Sequence, residues 1–128
     1  NHRSTRREKR STEVSRIMQI TYTQEGNVVV LSPIGRIDSS TSAELERACD
    51  GHIGNGATRI LLDLAQTQYV SSAGLRVFLV VGKKLQKVGG RVALCSMLPL
   101  VREVLAIAGF DRILTTADSR GAGLAKLI

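Results

Sequence analysis

An α/β domain is the fold class that this sequence predicts, on the strength of three observations. Segments with strand-like and helix-like patterns alternate along residues 17–128. Residues 60–64 and 91–95 have the nearly continuous hydrophobicity of strands covered on both faces. A helical segment separates these two strands, which is the connection that parallel neighbours need. We therefore predict a mixed, mostly parallel sheet of four or five strands, packed against helices and preceded by an antiparallel β-hairpin.

The chain divides into a short arm and one domain. Its 128 residues, with an apolar fraction of 43%, suffice for a single hydrophobic core. Residues 1–16 lack apolar periodicity and carry a net charge of +4 out of the +7 of the whole chain. We predict a flexible basic arm over residues 1–16 and a single folded domain over residues 17–128.

Composition argues against several classes of function. The domain has few aromatic residues and only a modest basic surplus, so we expect no nucleic-acid binding by the folded body. No apolar run approaches the roughly 20 residues that cross a bilayer, so we expect a cytoplasmic protein without membrane insertion. Cys49 and Cys95 stand alone in the sequence, which indicates buried reduced thiols and neither a metal site nor a disulfide. Phosphate-cradling and dinucleotide motifs are missing, so no cofactor is expected.

A β-hairpin is expected at the start of the domain. Residues 17–23 alternate apolar and polar side chains, and residues 28–31 form an apolar run after a glycine-containing turn. A proline and a glycine interrupt the segment that follows, so residues 34–37 either bend or begin another short strand.

Helices and strands then alternate to the end of the chain. Cap residues, helix stops and apolar periodicity give their approximate bounds. The predicted order is a helix ending at Gly51, a central strand at 60–64, a helix at 74–88, a strand at 91–95, a helix at 99–109, a short strand at 110–114 and a final helical turn or two within 122–128.

Two adjacent serines, Ser71 and Ser72, lie between the central strand and the next helix. Sites in parallel α/β sheets lie at the carboxyl ends of strands, which is where this loop falls. A serine before a helix can be a simple N-cap, worth about 1 kcal/mol. The same position suits a reversible phosphate, because the amides at the start of a helix favour an added negative charge.

The helix after the serines predicts a docking surface. On a helical wheel, Val77 and Val80 fall opposite the core-facing residues, beside Arg76 and Lys84. An apolar patch rimmed by basic groups suits an acidic protein partner. Solvated lysines beside stray valines are the alternative interpretation.

Catalysis is not indicated by the polar residues of the domain. A serine nucleophile needs a base and an orienting group, yet His52 is the only histidine after the arm and no nucleophile-elbow motif surrounds Ser72. Asp38 is interpreted as a helix cap. Asp63 lies in an apolar strand, where it either holds the serine loop by hydrogen bonds or is exposed at an edge. We therefore expect a protein that is not an enzyme.

These motifs together resemble the STAS domain of bacterial anti-sigma-factor antagonists. The resemblance covers about residues 17–128 and is most specific at the serine motif and at the glycine-rich entry to the following strand. The segments that carry it are Ile34-Gly35-Arg36-Ile37-Asp38, Leu61-Leu62-Asp63-Leu64, Tyr69-Val70-Ser71-Ser72-Ala73-Gly74-Leu75 and Gly89-Gly90-Arg91-Val92.

The resemblance implies a partner-switching regulator. Such an antagonist binds an anti-sigma factor with serine kinase activity and so releases a sigma factor; phosphorylation of the motif serine ends the binding, and a serine phosphatase restores it. Ser72 matches the family's phosphorylated serine. This chain departs from the family pattern at two positions: Ser71 stands in place of the usual acid, and Ala73 stands where a second serine is common. Ser71 is therefore the second choice for the phosphorylated residue. The resemblance also allows a non-phosphorylated scaffold or an accessory subunit of a transporter or signalling assembly.

The surface expected to bind the partner combines the serine motif with the neighbouring helix face. Its residues are Asp38, Ser71, Ser72, Ala73, Gly74, Arg76, Val77, Val80 and Lys84.

Overall fold

Strands and helices alternate through the residues that the structure describes. The computed structural model describes residues 18–128, so the arm expected at residues 1–16 lies outside this range. The strands are β1 (Gln19–Glu25), β2 (Val28–Ile37), β3 (Arg59–Asp63), β4 (Thr67–Val70), β5 (Arg91–Cys95) and β6 (Thr115–Ala117). The helices are α1 (Ser42–Gly54), α2 (Ser72–Gln86), α3 (Pro99–Ile107) and α4 (Arg120–Lys126), with a 3-10 turn at Phe110–Arg112.

One mixed sheet lies at the centre of the domain. Its strand order is β1-β2-β3-β5-β6, and β4 pairs separately with β2. β1 and β2 form the antiparallel hairpin, whereas the other pairs are parallel. The predicted α/β class, the mostly parallel sheet and the initial hairpin are confirmed, with six strands in place of the expected four or five.

The additional strand exists because β2 is longer than its neighbour. β2 pairs with β3 at residues 29–31, and its last residues, 35–37, extend past the end of β3 and pair with β4. Gly35 donates its N–H to the Gln66 carbonyl at 3.0 Å and has a φ of +109°, which L side chains rarely adopt. The register shifts between Gly35 and Arg36, so the interruption in the sequence is a bulge within one strand.

Two hydrophobic layers cover the sheet. On one face, α1, α2 and α3 enclose a core that includes Phe78, Ile60 and Leu62. On the other face, α4 covers a smaller cluster that includes Leu61 and Ala93. Because successive side chains of β3 point into different cores, this strand is apolar throughout, as predicted.

The strand predicted at residues 110–114 is wrong. Phe110 begins the 3-10 turn, and its carbonyl accepts hydrogen bonds from the N–H groups of Ile113 and Leu114 at 3.1 and 2.9 Å. These turn bonds bring Phe110 and Leu114 together onto the core and leave Ile113 65% exposed. The last strand is therefore β6, and the final helical turns expected within 122–128 form α4.

Candidate partner-binding and modification site

The serine loop lies at the carboxyl edge of the sheet, between β4 and α2. β4 ends at Val70 and α2 begins at Ser72, so a single residue joins the strand to the helix. The Ser71 N–H donates to the Ile37 carbonyl at 2.8 Å, which ties the loop to the end of β2. This hydrogen bond fixes the backbone of the serine loop to the end of β2.

The two serines have different structural roles. Ser71 has extended backbone angles and is the N-cap of α2, where its side chain accepts a hydrogen bond from the Gly74 N–H at 3.4 Å. The Leu75 N–H bonds to the Ser71 carbonyl at 2.9 Å and continues the helix. Ser72 is the first residue of the helix, and its side chain is exposed. The capping interpretation thus applies to Ser71, while Ser72 presents its hydroxyl to solvent.

Gly74 allows α2 to approach the sheet closely. A Cβ at this position would lie 2.7 Å from Ile37 Cγ2 and 2.9 Å from Val70 Cγ1. Real Cβ atoms essentially never approach other atoms to that distance. Gly74 is buried, so the expected direct contact between Gly74 and a partner is wrong: the strand ends already cover this residue.

Asp38 closes the turn that follows β2. Its Oδ1 accepts hydrogen bonds from the Ser40 N–H at 3.0 Å and the Ser40 hydroxyl at 2.7 Å. These bonds, the one from the Ser40 hydroxyl first, hold the pKa of Asp38 below its ordinary value. The N-cap of α1 is Thr41 rather than Asp38, because the helix begins at Ser42. The capping interpretation of Asp38 is therefore wrong in detail, and its carboxylate remains half-buried at the surface beside the serine loop.

Arg36 and Tyr69 join the two strand ends at this edge. The Arg36 guanidinium carbon lies 4.5 Å from the centroid of the Tyr69 ring, which is a cation–π distance. Arg36 Nε also lies 3.6 Å from the Asp38 carboxylate. Sequence reasoning missed both residues as parts of the site, because only the β2–β4 pairing places Arg36 next to Tyr69.

The helix face expected to dock a partner is different in the structure. Val77 is 5% exposed and packs in the core with Val81, so its predicted exposure is wrong. α2 packs against both the sheet and α1, and this widens its buried face beyond the stripe that a single packing surface would require. Val80 is half-buried.

Lys84 binds two acids of the neighbouring helix. Its Nζ donates to Glu46 at 2.9 Å and to Asp50 at 2.8 Å. Hydrogen bonds from Lys84 to Asp50 and Glu46 raise the pKa of Lys84. The ammonium group therefore links α1 and α2 while its side chain stays 36% exposed, and its expected role as a rim charge for a partner stays a prediction.

Asp63 also differs from both sequence interpretations. It is buried, with Oδ1 accepting from the Ala65 N–H at 3.1 Å and Oδ2 accepting from Arg120 Nε at 2.9 Å. It neither bonds to the serine loop nor is exposed at an edge. Arg120, which the sequence did not single out, is its partner.

Several other features bear on alternative sites within residues 18–128. Cys49 and Cys95 are buried free thiols, as predicted, and burial raises the pKa of Cys49 to about 12. That range contains no cluster of three or more metal-ligating side chains and no helix long and apolar enough to span a bilayer.

A cleft of about 340 Å³ opens beside His52 and Asn55, where β2 and β3 begin, at the edge opposite the serine loop. The serine loop differs from this cleft, because Ser72 is exposed on a loop whose backbone is fixed to β2. Such a position suits contact with a protein partner and covalent modification.

Comparisons with known proteins agree with the fold. The sequence profile of the STAS domain matches residues 19–122. BtrV of Bordetella bronchiseptica, named as an anti-sigma factor antagonist, is 38% identical over 108 residues, which cover 84% of this chain and 93% of that protein. An anti-sigma F factor antagonist of Paenibacillus polymyxa is 28% identical over 111 residues, covering 86% and 95%.

A solved structure supports the same relationship at the level of the fold. The structure of an anti-sigma factor antagonist from Thermotoga maritima superposes with a TM-score of 0.79 at 24% identity, covering 84% of this chain and 93% of that one. The profile match extends over the sheet, the serine loop and all the helices from α1 to the start of α4. This chain therefore belongs to the STAS domain family.

Proposed function

We propose that this chain is an anti-sigma-factor antagonist, a regulator without enzymatic activity that binds an anti-sigma factor and so releases a sigma factor in the cytoplasm. The observation that carries the proposal is the exposed hydroxyl of Ser72 on a loop whose backbone is fixed to β2. The similarity to BtrV along most of both chains supports the same function.

The partner would bind a surface that we name the motif surface. It lies at the carboxyl ends of β2 and β4 and the first turns of α2, and Val80 borders it as a half-buried apolar group. Its residues are Arg36, Asp38, Tyr69, Ser71, Ser72, Ala73 and Arg76. Such a mixture of an aromatic ring, an arginine and small side chains is typical of protein interfaces.

Phosphorylation of Ser72 would end the binding. A phosphate adds nearly two negative charges at neutral pH, together with bulk, to a surface of small side chains. The bonds that position the loop are made by the backbone and by Ser71, so they persist after modification of Ser72. The modification would therefore act on the interface and leave the core unchanged. A serine kinase, which the anti-sigma factor itself would supply, and a serine phosphatase complete the cycle.

The departure at Ser71 is compatible with this switch. Ser71 replaces the family's usual acid, and the structure assigns the position to the N-cap of α2. Serine and aspartate are both strong N-caps, so the replacement keeps the cap and removes one negative charge beside Ser72. Because the Ser71 side chain is occupied by the cap, we propose Ser72 as the phosphate acceptor ahead of Ser71.

Incubation with the cognate kinase tests the acceptor. The protein would be mixed with ATP and its cognate anti-sigma-factor kinase, and the phosphate would be located by mass spectrometry. We expect modification of Ser72 in the wild type and loss of the phosphate in Ser72→Ala, which keeps partner binding. Absence of phosphate from both serines would favour the alternative, a STAS scaffold or accessory subunit.

Charge substitution tests the switch itself. Ser72→Asp should weaken binding of the anti-sigma factor at least about tenfold, or about 1.4 kcal/mol, in a titration calorimetry experiment. Gln86→Glu is the matched control, because it adds the same charge at an exposed position of α2 about 21 Å farther along the helix. Equal affinity of the wild type and Ser72→Asp would contradict the proposed switch.

A further inference from the structure

Arg76 is an exposed cation one helical turn after Ser72. It lies in α2, four residues from Ser72 and on the same side of the helix. Among residues 18–128, Arg76 forms no ion pair with an acidic side chain. Its guanidinium is therefore available to an anion that arrives at the motif surface.

Helix geometry directs Arg76 towards Ser72. Each Cα–Cβ bond of an α-helix tilts towards the N-terminus, so a long side chain at position i+4 leans over position i. Ion pairs with the anion at i and the cation at i+4 are the favourable order. The planar guanidinium also matches the oxygens of a phosphate with two parallel hydrogen bonds.

Two other cations of β2 and α2 already have partners. Arg36, at the end of β2, lies over Tyr69 and beside Asp38. Lys84, farther along α2, binds two acids of α1. Hydrogen bonds from Ser40 lower the pKa of Asp38, so its carboxylate adds a negative charge to the same edge and would repel a phosphate. Arg76 is then the cationic side chain that attracts the phosphate, together with the amides at the start of α2.

We propose that Arg76 captures the phosphate of phosphorylated Ser72 in an ion pair within α2. The proposal deepens the proposed function, since it rests on modification of Ser72. In that modification the Ser72 Oγ forms a bond to the γ-phosphorus of ATP, the bond to ADP breaks, and the hydroxyl proton is released. Capture removes the cation from the motif surface, so the pair Ser72 and Arg76 changes from a net charge of about +1 to about −1.

The test installs phosphoserine at position 72 of the full chain during translation, so that no kinase is needed. A phosphorus NMR titration then gives the second pKa of the phosphate, ordinarily about 6. In Arg76→Gln this pKa should be higher than in the parent phosphoprotein by about 0.3 of a unit or more, since Arg76 stabilises the dianion. Arg76→Lys should retain part of the effect, because it keeps the charge without the planar fork.

The matched control is Lys83→Gln, which removes one exposed positive charge from the same helix about 16 Å from residue 72. It should leave the phosphate pKa unchanged. An unchanged pKa in Arg76→Gln, or an equal shift in Lys83→Gln, overturns the capture proposal. Failure of the kinase to modify Ser72 would instead contradict the proposed function, and this titration would be unaffected.

Discussion

Two identical neighbouring residues, Ser71 and Ser72, differ in role because the backbone turns from strand to helix between them. Ser71 keeps extended angles and directs its hydroxyl to the amide of Gly74, whereas Ser72 has entered the helix and faces solvent. The sequence predicted that this pair lies at a strand-to-helix junction. It could not assign the cap to one serine, since either residue could begin the helix.

Gly74 gives a prediction about the close contact between α2 and the strand ends. Gly74→Ala should lower the free energy of unfolding by about 1–3 kcal/mol, because the new methyl group would overlap Ile37 and Val70. Chemical denaturation followed by circular dichroism measures this difference.

Gly51→Ala is the matched control for this prediction. Gly51 lies within α1, and a Cβ there would meet no atom within 4 Å. The same substitution should therefore stabilise the protein by about 0.5–1 kcal/mol, since alanine favours a helix. A stabilising Gly74→Ala would show that the helix start can move away from the sheet.

The helix α2 shows where periodicity alone misplaces a side chain. A helical wheel with one packing surface agrees with the structure at Leu75, Phe78 and Leu85, which lie in the core. It placed Val77 outside because it assumed one packing surface, whereas α2 contacts both the sheet and α1. Which helices lie side by side is a tertiary property, so the second packing surface of α2 was not visible in its own sequence.

Val77 therefore gives a prediction about stability rather than affinity. Val77→Ala should lower the free energy of unfolding by about 2 kcal/mol, from lost burial and the cavity left behind. Val88→Ala is the matched control, because Val88 is 50% exposed and should change stability by less than about 0.5 kcal/mol. Equal effects of the two substitutions in thermal denaturation would contradict the burial of Val77.

At the scale of the whole domain, Arg120 connects the C-terminal helix α4 to three strands of the sheet. Its Nε donates to Asp63 of β3 at 2.9 Å, its guanidinium lies 3.7 Å from Glu25 of β1, and its third contact is the Ser32 hydroxyl of β2 at 3.5 Å. Asp63 is buried, so loss of Arg120 would leave a carboxylate without its cation in the interior.

Arg120→Ala should destabilise the whole domain and the docking of α4. We expect a loss of about 1–3 kcal/mol in the free energy of unfolding, below the full cost of an unpaired interior charge because Arg120 is itself 40% exposed. Hydrogen exchange should accelerate first in α4. Arg102→Ala is the control: its pair with Asp118 spans 3.9 Å at the surface and should contribute less than about 1 kcal/mol. Equal losses in the two variants would contradict a special role of Arg120.

Local and periodic signals in the sequence were sufficient for the fold class, the hairpin, the buried strands β3 and β5 and the helix order. They placed the serine loop before the correct helix but directly after the central strand, whereas the loop follows β4. These features depend on burial patterns and cap residues within short segments. The STAS resemblance, drawn from the same segments, is confirmed by the profile match over residues 19–122.

The remaining features of the site and the core depend on contacts between residues that are far apart in the sequence. The β2–β4 pairing brings Arg36 to Tyr69, the contact between α1 and α2 buries Val77 and engages Lys84, and the docking of α4 supplies Arg120 to Asp63. Each of these contacts joins residues that are far apart in the chain, so no local pattern could specify them. The sequence by itself identified the motif serines, whereas the surface around them forms only where separate strands and helices meet in the tertiary structure.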